Sequence, residues 1–306
     1  MATNIVYSKN GLILANEDCF GFMEKLAEKN VRVDAIITSP PYNSNKKAGK
    51  RSTNQNTAVN GYTYLRYDVH VDNFTSEEYV EWTVNLFNHY DSVLAPDGVV
   101  LYNLSFGSEN PNDWLMAMNG AVTRTNFTLA DVLIWKKKTA FPISSSPNKM
   151  TRITEFVFVL CRKPEIITFR SNKRCTSVRD TGQKAYENVY NFIEAANNDR
   201  LNCQYNKATF STELVEKLID MYVRPGSTVF DSFCGTGTTL AACRNKGLKG
   251  IGCELSADQC RWAVENRFEK NIDEDEEPYF GTRIKETVQA FKETFGKKDC
   301  NAEAVA

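Results

Sequence analysis

The sequence predicts an α/β protein built on a mostly parallel sheet, and three observations carry that prediction. An apolar, β-branched run from Val33 to Thr38 stops at a double proline, and a second run from Ser227 to Asp231 enters a glycine-rich turn. A helical stretch then leads into a further short strand, Gly250 to Glu254. Strand, turn, helix and strand in succession make the parallel βαβ unit. With 306 residues, 42% hydrophobic and 25% charged, the chain can bury one substantial core and carry insertions besides.

Taken in order, Leu12 to Ala15 is a strand, Cys19 to Glu28 a helix, and Val33 to Thr38 a strand that ends at Ser39-Pro40-Pro41-Tyr42. The polar stretch spanning 43–74, rich in Asn, Lys and Thr, is long for a loop and is expected to be mobile or ordered by a ligand. Ser76 to Leu94 reads as a helix, with a Thr75/Ser76 cap and Glu77 and Glu78 in its first turn. Pro96-Asp97-Gly98 then turns the chain into the strand Val99 to Leu104. Two further strands, Asp131 to Trp135 and Ile153 to Cys161, flank Phe141 to Pro147, which cannot continue a sheet. From 164 to 205 periodicity is weak, which predicts an insertion between a first half, 1–163, and a second half, 206–270. Thr238 to Asn245 is a helix ended by Gly247. In the extension 271–306 one helix is expected, Arg283 to Phe295.

Two segments carry chemistry. Successive prolines fix φ twice and remove two donors, so Ser39-Pro40-Pro41-Tyr42 is a stiff corner rich in acceptors. Ser39 Oγ and the Pro40 carbonyl suit the two hydrogens of a planar aromatic amine, and Tyr42 offers a ring on which a base can stack, typically worth ~1–3 kcal/mol. A plain strand-ending turn with Tyr42 as a surface cap is the alternative. In the second segment, Gly235 and Gly237 permit positive φ and remove Cβ atoms that would crowd a ligand. Glu254 follows about 20 residues after the first glycine, the interval at which an acid meets ribose hydroxyls in a Rossmann unit. A ribose-bearing cofactor is implied.

Together the two segments resemble the DNA amino-methyltransferases, which move a methyl group from S-adenosylmethionine to the exocyclic nitrogen of cytosine or adenine. The catalytic loop comes first and the cofactor loop last, an order similar to the beta class. The resemblance implies a Rossmann-like fold with a mostly parallel seven-stranded sheet, its last strand antiparallel, and helices on both faces. It implies a cofactor site at Phe233, Gly235 and Gly237, flanked by Asp231, Thr238 and Thr239, with Glu254 on the ribose. Thr38 and Asp18 join that site, although Glu17-Asp18 stands where the family usually has Gly-Asp. Phe210 would cover the cofactor, in an Asn206 to Ser211 segment that departs from the usual lead. Family members with Ser at the first loop position mostly methylate cytosine N4, so cytosine is the expected base and adenine N6 the alternative. A protein or small-molecule N-methyltransferase, or a non-catalytic partner subunit, are more distant alternatives.

The net charge of −1 hides basic runs. Lys46, Lys47, Lys50 and Arg51 follow the catalytic loop, Lys136 to Lys138 end a strand, and Arg170, Lys173, Arg174 and Arg179 crowd the insertion. With Lys137 and Arg152 they are expected to track the phosphates of double-stranded DNA, and the insertion to read the target sequence. The loop after Tyr42 would close over that DNA. Several classes are disfavoured. No run approaches ~18 apolar residues, and the N-terminus lacks a basic-then-apolar leader, so a cytoplasmic protein is expected. Nine cysteines spread singly suggest thiols, and two histidines, His70 and His89, argue against a metal centre. No Pro-Cys dipeptide occurs, which disfavours methylation at carbon. A homodimer is compatible with the resemblance.

Overall fold

Strict alternation along the central strands sorts the core into two faces. In β3 (Val33–Thr38) and β4 (Leu94–Leu104), Ala35, Ile37, Val99 and Leu101 point to one face, and Ile36, Val100, Tyr102 and Leu104 to the other. A computed structural model describes residues 3–43, 73–105, 110–140, 144, 147–201, 203, 205–206 and 209–269. The first face is covered by α4 (Thr212–Tyr222) and α5 (Thr238–Asn245), through side chains such as Leu214, Leu218 and Leu240. The second is covered by α1 (Cys19–Glu28), α2 (Ser76–Val93) and α3 (Asp113–Arg124), through Phe22, Leu86, Phe87 and Met118.

Among the described residues the main sheet has nine strands. They are β1 (Ile5–Lys9), β2 (Leu12–Asn16), β3, β4, β5 (Phe127–Lys137), β6 (Thr154–Arg162), β9 (Phe192–Ala195), β10 (Thr228–Asp231) and β11 (Lys249–Glu254). Their spatial order is β1-β2-β11-β10-β3-β4-β6-β5-β9. β2, β11, β10, β3 and β4 run parallel, and β6 lies antiparallel between β4 and β5. This contains the expected seven-stranded pattern, with β1 and β9 added as edges. Neither edge was predicted, because both are short and half exposed. At the turn expected at Pro96-Asp97-Gly98, residues 95–98 are looped out between the pairs Val33–Leu94 and Ala35–Val99, with Asp97 at φ 56°, and regular pairing resumes at Val99. The capping box on α2 is as expected, with Thr75 Oγ1 accepting from Glu78 N and Glu78 Oε2 from Thr75 N.

The stretch 164–205 does not behave as one inserted unit. Asn172 donates to the last carbonyls of α4, β9 pairs with β5, and the ribbon β7 (Cys175–Val178) with β8 (Lys184–Tyr186) stands exposed. Glu213 locks this region to α4, accepting from Ala196 N at 2.9 Å and from Lys138 and Lys217. Those bonds, the Ala196 N–H foremost, hold its carboxyl at about 2, below the ordinary value. Because the folded pKa is lowered, its stabilisation is present above the unfolded value and is lost as pH falls towards about 2. Glu213→Gln is therefore expected to melt below wild type at neutral pH, with the gap closing as the pH is lowered from about 5, measured by thermal unfolding across pH. The eight described cysteines are free thiols, and no described helix is long and apolar enough to cross a membrane.

Candidate active site

β10 and β3 are neighbours in parallel, pairing Val229 with Ala35 and Phe230 with Ile36. Connections leave β10 towards β11 on one side and β3 towards β4 on the other, so the strand order reverses between them. A crevice at the carboxyl ends of the strands follows from that reversal. Both loops singled out in the sequence open there. Asp231, buried, ties them together: Oδ1 accepts from Thr38 Oγ1 at 2.7 Å and from Phe233 N at 3.0 Å, and Oδ2 from Thr239 Oγ1 at 2.5 Å. Burial raises the pKa of this carboxyl, and the three donors oppose the rise.

A single cavity is lined from both loops, by Ser39 and Pro41 and by Phe233, Gly235 and Glu254. Since β11, β10 and β3 are consecutive, the residues at their ends stand in a row spanning about two strand spacings, ~10 Å. The walls are aromatic. Trp82 from α2 packs on Phe233 with centroids 5.7 Å apart and meets Phe20 edge-on at 6.1 Å. Trp82 carries no motif, and its only signal in the sequence is the aromatic helix face that Tyr79 and Trp82 make at i and i+3.

The charge of the cavity selects its ligand. Glu17, Asp18, Asp231 and Glu254 line it, and no lysine or arginine is among its described lining residues. Such a site suits a cationic sulfonium with ribose hydroxyls and is unsuited to a phosphate-bearing dinucleotide. Glu254 accepts from Gly235 N at 2.8 Å and Ser256 N at 2.9 Å, which fixes its carboxylate at the mouth of the turn. Asp18 caps α1 by accepting from Gly21 N at 3.0 Å. Glu17 pairs with Lys25 and keeps Oε2 buried without a hydrogen-bond partner among the described residues. Phe210 and Thr238 also line the cavity.

Three expected cofactor residues are not among the described lining of the cavity. Thr38 and Thr239 turn their hydroxyls to Asp231. Gly237, at φ 79°, is required by the core: a Cβ there would sit 2.6 Å from Phe268 Cζ. Gly235, at φ 52°, is the glycine that keeps the cavity open, lying beneath an Asn206–Gln259 hydrogen bond of 2.9 Å. Gln259 was not foreseen, since it sits on the short α6 (Ala257–Ala263), which lacks a motif.

The proline corner is held from behind. Tyr79 donates to the Pro41 carbonyl at 2.8 Å, and Asn43, at φ 51°, donates to Asp113 at 2.6 Å and to Phe74 O at 3.0 Å. Tyr42 is partly buried against the second core face, its hydroxyl 2.9 Å from Ser39 Oγ, 3.1 Å from Glu155 Oε2 and 2.6 Å from Asn103 Nδ2.

A family model described as DNA methylase, that of the N6 and N4 methyltransferases, matches residues 33–265. The chain belongs to this family. It is an S-adenosylmethionine-dependent DNA methyltransferase that acts on an amino group. The type II methyltransferase M.Cfr9I of Citrobacter freundii is 23% identical over 297 residues, covering 85% of this chain and 88% of that one. Among solved structures, the PvuII DNA methyltransferase, cytosine-N4-specific, matches with a TM-score of 0.61 at 17% identity, over 96% of this chain and 98% of that one. M1.HpyAVI in complex with S-adenosylmethionine matches with a TM-score of 0.54 at 19% identity, over 83% and 98%. These structural likenesses speak for the fold.

The basic residues of this DNA methylase are not gathered as the sequence suggested. Lys46, Lys47, Lys50 and Arg51 lie outside the described residues. Each lysine of the 136–138 run meets an acid from another element: Lys136 with Glu194 at 2.5 Å, Lys137 with Glu155 at 2.5 Å, and Lys138 with Glu213 at 2.9 Å. Arg170 sits beside Asp34 and Ser227, at the amino ends of the parallel strands and so at the opposite end of the sheet from Ser39. The reason is topological, because antiparallel β6 delivers the chain to that end before the segment begins. Lys173 is exposed near Asn172, Arg174 pairs with Glu187 at 3.4 Å, and Arg179 donates to Gln183 at 3.1 Å within the ribbon. Arg152 is exposed at the approach to β6, on the catalytic side.

Proposed function

We propose that this methylase transfers the methyl group to the N4 amine of a cytosine turned out of duplex DNA. Ser39 carries the reading. It is a neutral hydroxyl that lines the cavity, at the loop position where serine marks mostly cytosine enzymes in the family. Its proton is directed away from the cavity. Glu155, paired with Lys137, can only accept, so Tyr42 donates to it; Tyr42 oxygen then accepts from Asn103 and from Ser39. The lone pairs of Ser39 are left for one amine hydrogen, and the Pro40 carbonyl takes the other.

S-adenosylmethionine supplies an electrophilic methyl group on sulfur. The chain supplies position: Glu254 and the Gly235 turn at one end of the row, Ser39 at the other, and aromatic walls that exclude water between them. Holding both amine hydrogens in the acceptor plane turns the nitrogen lone pair towards the methyl. No nucleophilic side chain is involved. The basic residues beside the loop, with Arg152, would hold the phosphates. Incubation with genomic DNA and labelled cofactor, followed by mass spectrometry of nucleosides, is expected to yield N4-methylcytosine. N6-methyladenine as the product would overturn the base and leave the family intact.

A further inference from the structure

We infer that Glu155 receives, through Tyr42 and Ser39, the proton that the target amine loses on methylation. Transfer forms a nitrogen–carbon bond and breaks the carbon–sulfur bond, whose electron pair stays on sulfur as a neutral thioether. The methylated nitrogen is then positively charged and must release one proton. Ser39 Oγ is the nearest acceptor in the proposed pose, and it is not isolated. As Ser39 takes that proton, its own passes to Tyr42 oxygen over 2.9 Å, and the proton of Tyr42 passes to Glu155 Oε2 over 3.1 Å. Both gaps are hydrogen bonds already oriented for this direction. Glu155 ends as the neutral acid and returns the proton to water, for which its side chain retains 14% exposure.

The fold goes out of its way to build this chain. β6 runs antiparallel to β4, so Glu155 near its start shares an end of the sheet with Asn103 near the end of β4 and with the loop after β3. Asn103 Nδ2 donates both to Tyr42 oxygen at 2.6 Å and to Glu155 Oε2 at 3.0 Å, while Asn103 Oδ1 is buried with no hydrogen-bond partner among the described residues. Turning the amide over would set Oδ1 against the carboxylate, so the unpaired oxygen is the consequence of serving two acceptors at once. A tyrosine needed only for packing would not demand it. Within hydrogen-bonding reach, the charged or titratable groups facing Glu155 among the described residues are Lys137 from β5 and Tyr42 from the loop after β3, and β4 contributes the neutral Asn103. Glu155 is thus a positioning residue that acts through Tyr42.

The inference rests on Ser39 facing the amine and not on which base is methylated. The test is steady-state and single-turnover methylation in light and heavy water for Glu155→Gln and Tyr42→Phe. Wild-type transfer is expected to slow in heavy water, because the relay moves exchangeable protons of Ser39 and Tyr42. Both variants should lower kcat by about 10- to 100-fold, keep KM for cofactor and DNA within about twofold, and lose that solvent isotope effect. The double variant should be no slower than the worse single one. If Glu155→Gln fails to fold, Tyr42→Phe, which leaves the Lys137 pair intact, still decides. Wild-type kcat in Tyr42→Phe, or an unchanged solvent isotope effect in either variant, overturns the relay. Ser39→Ala separates the two levels: full activity there removes the proposed pose itself, whereas a slow Ser39→Ala beside fast Tyr42→Phe and Glu155→Gln removes only the relay.

Discussion

Asp231→Ala is expected to lower stability by about 3 kcal/mol and methyl transfer by at least roughly a hundredfold. Its carboxylate bonds the end of β3, the turn after β10 and the first turn of α5 together, from Thr38, Phe233 and Thr239. Alanine leaves two hydroxyls and one backbone N–H without their acceptor in a fully buried place, and unsatisfied buried groups each cost about 1–3 kcal/mol. Part of that is offset, because burial already works against the charged carboxyl. The activity loss has a separate origin, since the two loops would no longer hold Ser39 and the cofactor turn in fixed register. Urea unfolding and single-turnover rates measure the two effects, with Asp231→Asn falling between alanine and wild type because it retains one acceptor oxygen. An unfolding midpoint unchanged in the alanine variant would refute the clamp.

Gly237→Ala should be nearly as damaging, and in a way that separates structure from binding. The residue lies at φ 79°, where an L side chain costs about 1–2 kcal/mol. The added methyl would meet Phe268 Cζ at 2.6 Å, Phe268 Cε1 at 3.0 Å and Ala263 Cβ at 3.2 Å. Phe268 cannot yield, being buried and packed on the ring of Tyr7 at 4.9 Å. Overpacking of this kind costs about 1–3 kcal/mol, so a total of about 2–5 kcal/mol is expected, with cofactor affinity of the folded protein close to wild type. Gly235→Ala shares the left-handed backbone penalty, at φ 52°, but its methyl points elsewhere. It would crowd Asn206 Nδ2 at 3.1 Å and Gln259 Oε1 at 3.5 Å over the cavity, so this variant should lose cofactor affinity where Gly237→Ala keeps it. Calorimetric titration beside thermal melts tests the pair. Should Gly237→Ala lose affinity and keep its melting temperature, the core explanation fails.

The pairing of Gly235 with Gly237 shows how far the sequence reaches. Both glycines are legible as positive-φ positions in a turn, since backbone freedom is a local property. What each one makes room for is not local: one faces Phe268 from 31 residues downstream, the other a bridge between Asn206 and Gln259. The lysines at 136–138 teach the same lesson. As a run they read as a phosphate-binding edge, yet each is met by an acid from β9, β6 or α4, and an isolated run cannot show its partners.

Arg170 was misplaced for a topological reason. Antiparallel β6 returns the chain to the far end of the sheet, and a strand's direction is set by its neighbours rather than by its own residues. β9 escaped notice because an edge strand of four residues, alternately exposed and buried, carries too little periodicity to stand out.

By itself the sequence determined the α/β class, both loops and the order in which they occur, because period-two strands, proline corners and glycine turns are encoded within a few residues of one another. Only the tertiary structure decided that Thr38 reaches Asp231 across 193 residues, that Trp82 walls the cavity, and that Glu155 stands behind Tyr42. Those meetings depend on which strands lie side by side, and strand adjacency arises from the packing of the whole sheet.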